Sequence, residues 1–75
     1  MNNEHNPLYG AVIERGVVMS VSDDDYTHII KSFDRDGVIT PPMKSIDGTI
    51  YDADDRVFFF MFNDGSGRII GQIDD

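Results

Sequence analysis

The chain has no cysteine, few basic residues and no long apolar run. Without cysteine there can be no disulfide and no thiolate metal site, which fits a reducing compartment. The longest unbroken apolar run is six residues, Val57 to Phe62, far short of the ~20 that a membrane-crossing helix requires. The first residues, MNNEHNPLYG, hold neither the basic region nor the apolar segment of a secretion signal. These absences lead to the expectation of a soluble, cytoplasmic protein that does not enter a membrane. The six basic residues (Arg15, Lys31, Arg35, Lys44, Arg56 and Arg68) are scattered along the sequence. They form no cluster of the kind that phosphates require, so direct nucleic-acid binding is not expected.

Acid is what the chain has in excess. Fourteen acidic residues give a net charge of −8, and only Glu4 and Glu14 among them are glutamate. Asp favours turns and helix starts, whereas Glu favours helix interiors. The acids are therefore expected at the ends of elements. Net charge of this size keeps a small domain soluble, and it also steers the domain towards a basic partner.

A chain of 75 residues makes one small domain. Residues 1–7 read as a flexible tail and 8–75 as the domain. In LYGAVIERGVVMSV, Leu8 to Val21, two β-rich runs flank Glu14-Arg15-Gly16, the signature of a short hairpin loop. Ser22 then resembles a helix N-cap, with Asp23, Asp24 and Asp25 in the first turn. Tyr26, Ile29, Ile30 and Phe33 follow at i, i+3, i+4 and i+7, one apolar helical stripe, and Gly37 suits the helix end. Pro41-Pro42 blocks a central strand. Asp47-Gly48 suggests a second hairpin, and Asn63-Asp64-Gly65-Ser66-Gly67 a third, joining Val57–Phe62 to Arg68–Ile73. The expected fold is α+β: a small antiparallel sheet of about five strands, ordered β-β-α-β-β-β, with one helix, Ser22 to Phe33, packed on one face.

The run VFFFMF poses a problem of cover. Alternation puts Val57, Phe59 and Met61 on one face and Phe58, Phe60 and Phe62 on the other. One helix covers one face. The other can be closed by curling the sheet, by a twin chain in a homodimer, or by a different protein.

Signals for chemistry are weak. His5 lies in the expected tail, and His28 reads as a partly exposed helix residue rather than a catalytic base. Asp34-Arg35-Asp36-Gly37 resembles the start of an EF-hand loop but lacks the later ligands and the final Glu. Asp52, Asp54 and Asp55 read as turn chemistry, and Asp64-Gly65-Ser66-Gly67 precedes a β run rather than a helix, so it is no phosphate cradle. No catalytic residue, metal or cofactor is expected. The expectation is a non-enzymatic, acidic protein-binding module: an inhibitor or modulator of a nucleic-acid-handling protein, similar in type to the inhibitors and nucleic-acid mimics of phages and mobile elements. Asp23, Asp24, Asp25, Asp52, Asp54 and Asp55 would supply its electrostatic face, and Phe58, Phe60 and Phe62 the dimer core or the partner anchor. The alternative is a small assembly protein that self-associates through its apolar β surface.

Overall fold

The structure, a computed structural model, describes residues 12–73. The expected tail 1–7, residues 8–11 and the terminal pair 74–75 lie outside the described residues. Five strands follow one another: β1 (Val12–Ser22), β2 (Thr27–Ser32), β3 (Lys44–Ser45), β4 (Arg56–Met61) and β5 (Gly67–Gln72). They form one sheet in the order β2-β1-β4-β5-β3, antiparallel except for the β3–β5 pair.

No helix is present among the described residues. The segment expected to be helical is the end of β1, a four-residue turn at 23–26, and β2. The apolar stripe does not act as one: Ile30 is buried and Ile29 half-buried, while Tyr26 and Phe33 are exposed. Period-two alternation wins instead, with His28, Ile30 and Ser32 all facing inward. β-branched Thr27, Ile29 and Ile30 favour this extended form.

The first expected hairpin is also absent. β1 runs straight through Glu14-Arg15-Gly16 and pairs with β4 over its first half and with β2 over its second. Gly16 is there for packing rather than for turning. A Cβ at that position would sit 2.6 Å from Ile30 Cγ2 and 2.7 Å from the Lys31 carbonyl oxygen. The Asp47-Gly48 pair makes a turn, with Gly48 at φ +81°, but it joins no antiparallel strands. The third hairpin stands as expected: β4 pairs with β5 across the Asn63–Ser66 turn.

The sheet curls into a half-barrel. Two bulges sharpen the curl, one at Met19 where β1 leaves register with β2, and one at Ile70 where β5 leaves register with β4. The segment between β2 and β3 bridges the open side. Met43 and His28 exchange both backbone hydrogen bonds, at 2.8 and 2.9 Å, and β3 follows at once to pair with β5. Val57, Phe59 and Met61 thus face a closed interior with Val18, Ile30, Met43, Tyr51 and Ile69. Burying Phe59 completely contributes about 1.5–3 kcal/mol. Curling, rather than a helix, covers the first face of the apolar strand.

Candidate functional site

The interior holds polar groups as well, and each has a partner. His28 is fully buried, not the half-exposed helix residue expected. Its Nε2 accepts the backbone N–H of Tyr51 at 2.9 Å, so the ring proton sits on Nδ1, which donates to the Met43 carbonyl at 3.2 Å. Both nitrogens serve the fold and neither is presented to a substrate. Glu14 is equally buried. Its carboxylate accepts from Ser32 Oγ at 2.8 Å and from Arg35 Nε at 2.6 Å. These bonds pin the 33–38 loop against β1. No group of three or more metal-ligating side chains and no enclosed cavity occurs among the described residues.

The acids divide by task. Asp25 accepts from Thr27 Oγ1 at 3.0 Å, and the Ser22 and Thr27 hydroxyls hold its carboxyl below the usual carboxylate range. Asp47 is held down by the Thr49 backbone N–H, and Asp64 by the Ser66 hydroxyl and backbone N–H. Asp34 forks onto Arg15, taking Nη2 and the backbone N–H each at 2.8 Å, and the guanidinium lowers it. The two residues of the resemblance to a calcium loop therefore do different work: Asp34 pairs with Arg15, and Asp36 takes a left-handed turn position at φ 55°. Asp64 to Gly67 is a hairpin turn, as expected.

Topology gathers the six acids that were expected to form the electrostatic face. Asp23, Asp24 and Asp25 follow the end of β1. Asp52, Asp54 and Asp55 precede β4, which runs antiparallel to β1. Both groups thus lie at the same end of the half-barrel. The second group is bonded to β1 at Val18, four residues before the strand's end: the Asp54 N–H donates to the Val18 carbonyl, and the Val18 N–H to the Asp55 carbonyl, each at 2.8 Å. Asp55 also caps its own turn, accepting the Asp52 N–H at 2.9 Å. The carboxylates of Asp23, Asp24, Asp52 and Asp54 make no hydrogen bond or ion pair with a described residue. Tyr26 stands beside the first group, 54% exposed and in the left-handed conformation at φ 58°.

The expected aromatic anchor lies elsewhere, on the outer face of the sheet. Phe58 is exposed, Phe60 is half-buried, and Phe62 lies just past β4, edge-on to Phe60 with centroids 5.7 Å apart. Register extends this face across the strands. Phe58 opposes Arg15 on β1 and Gly71 on β5, while Phe60 opposes Ile13 and Arg68. Phe33, whose N–H bonds the Arg15 carbonyl at 2.8 Å, continues the first row. Ile13, Phe33, Phe58 and Ile70 are each between 38% and 50% exposed. Sequence reasoning missed Ile13, Phe33, Ile70 and the arginines as neighbours of the Phe residues. One signal was available, since Arg56 shares the parity of Phe58 and Phe60.

Compared with known proteins, the chain matches no family model, no curated protein and no solved structure. No helix among the described residues is long and apolar enough to cross a membrane.

Proposed function

We propose that this chain is a non-enzymatic, cytoplasmic protein-binding module whose acidic end engages a basic partner, and that it acts as an inhibitor or modulator of a nucleic-acid-handling protein. One observation carries the reading: the antiparallel run of β1 and β4 places Asp23, Asp24, Asp25, Asp52, Asp54 and Asp55 at one end of the half-barrel. Negative charge concentrated there steers encounter with a surface built for phosphates, and such steering raises association rates by about 10- to 1,000-fold. Exposed Tyr26 offers that end an aromatic contact. The test is displacement of a short fluorescent DNA duplex from a panel of basic DNA- and RNA-binding domains. Displacement from at least one of them that fades between low and high salt supports the reading. No displacement from any of them, or equal displacement by a variant with Asn at 23, 24, 52 and 54, overturns it.

A second reading, self-association through the β surface, is favoured by a separate observation. The outer face carries Ile13, Phe33, Phe58 and Ile70 half-exposed side by side, and no described segment covers them. Contiguous apolar surface of this kind marks interaction sites.

A further inference from the structure

We propose that the outer face of the sheet receives the Asp23–Tyr26 loop of a second copy of this chain, so that copies join head to face. The proposal rests on the self-association reading and names its geometry. It starts from where the positive charge sits. The chain is acidic overall, yet four of its six basic residues (Arg15, Lys31, Arg56 and Arg68) project from the outer face. Lys31 flanks β1 opposite Val17, which in turn opposes Arg56. Arg15 opposes Phe58, and Arg68 opposes Phe60. Asp34 is bound to one of them, Arg15, at 2.8 Å, and Arg56 is also partnered. Lys31 and Arg68 form no ion pair with a described residue. The face is therefore apolar and basic, on a molecule whose far end is acidic.

That pattern selects among occupants. Two outer faces packed on each other would oppose like charges, which weakens a two-fold dimer. A polyanion would meet the field of a chain at −8 before it met the face. The acidic end of another copy carries the complementary sign together with an exposed aromatic ring, Tyr26, to lie among Phe33, Phe58 and Ile70. Asp23 and Asp24, whose carboxylates make no hydrogen bond with a described residue, then face Lys31 and Arg68. Such a contact joins two different patches, so each added copy leaves a free face at one end and a free loop at the other. The contact is small, and association in the range of about 10 μM to 1 mM is expected.

Two variants test it by sedimentation velocity with the full chain. Lys31→Glu/Arg68→Glu spoils the face and keeps the loop; Asp24→Asn/Tyr26→Asn spoils the loop and keeps the face. Asn is at ease in the left-handed backbone at residue 26, so the second variant is not expected to unfold. The wild type should grow past two copies with concentration at low salt and return to the 8.4 kDa monomer at about 0.5 M salt. Each variant alone should stay monomeric, at least about tenfold weaker in association. Mixed, they should form one-to-one pairs that grow no further, because each supplies the patch that the other lacks. A wild type that stays monomeric at about 1 mM and low salt overturns self-association altogether. A wild type that associates while the variants also associate, or while their mixture fails to pair, leaves self-association standing and overturns the head-to-face geometry.

Discussion

Replacing His28 tests how the half-barrel is held shut. The residue joins three parts of the chain: its backbone exchanges two hydrogen bonds with Met43, its Nδ1 donates to the Met43 carbonyl, and its Nε2 accepts the Tyr51 N–H. His28→Ala leaves the Tyr51 N–H buried without a partner, at a cost of about 1–3 kcal/mol. Emptying a fully buried site adds about 1–3 kcal/mol more. The total of about 4 kcal/mol equals the whole net stability, about 3–5 kcal/mol, of a domain this small. His28→Ala is therefore expected to show no cooperative urea transition by circular dichroism. His28→Gln can still place an acceptor near the Nε2 position and should cost about 1–2 kcal/mol. His28→Asn reaches only towards Met43, so it should fall between Gln and Ala. A loss under about 1 kcal/mol for Ala, or a milder effect for Asn than for Gln, would refute the claim that the Tyr51 bond helps to hold the half-barrel shut. Nitrogen chemical shifts of the ring check the same geometry without mutation, by reporting the Nδ1–H tautomer.

Three further outcomes follow from local geometry. Gly16→Ala puts a methyl 2.6 Å from Ile30 Cγ2 and 2.7 Å from a backbone oxygen; it should lower stability by about 1–3 kcal/mol in urea melts. Tyr26→Asn relieves a bulky side chain at φ 58° and should raise stability by up to about 1 kcal/mol in the same melts. Asp25, Asp34, Asp47 and Asp64 are all held below the usual carboxylate range by hydrogen bonds in the folded chain. Unfolding lets them bind protons at their ordinary values near ~4, so the unfolded state takes up protons first as pH falls. Their contribution should be complete above pH ~5 and fall away below ~4, and Asp34→Asn should flatten part of that fall.

The strongest β signal in the sequence was legible and the weaker ones were not. VFFFMF and its turn rich in Asn, Asp and Gly specify the β4–β5 hairpin, because alternation and turn chemistry agree there. In β2 they disagree. Its inward positions are His28, Ile30 and Ser32, and two polar residues hid the alternation. They can face inward only because Met43, Tyr51 and Glu14 satisfy them, and those partners lie 15 to 23 residues away in sequence, farther than any local pattern reaches. The β1–β2 turn was concealed for a different reason. Asp-Asp-Asp-Tyr has no Gly or Asn at the left-handed position, which Tyr26 occupies under strain. With no turn visible, the same acids read as a helix start.

The grouping of the acids was beyond any local reading, since it depends on which strands run antiparallel. Once β1 pairs with β4, two clusters 27 or more positions apart in sequence must share one end. The same pairing sets Arg15 opposite Phe58 and Glu14 opposite Phe59. Charge in this chain is thus sorted in part by parity and by strand direction together: six acids to one end, four bases to the outer face, and one carboxylate, Glu14, to the interior where Arg35 and Ser32 hold it. A core this small gains little by exposing Ile13, Phe33, Phe58 and Ile70 beside those bases. Their burial is worth about 25 cal/mol for each Å² removed from water. The half-barrel therefore solves the problem of cover for one face of the apolar strand, and no described segment covers the other.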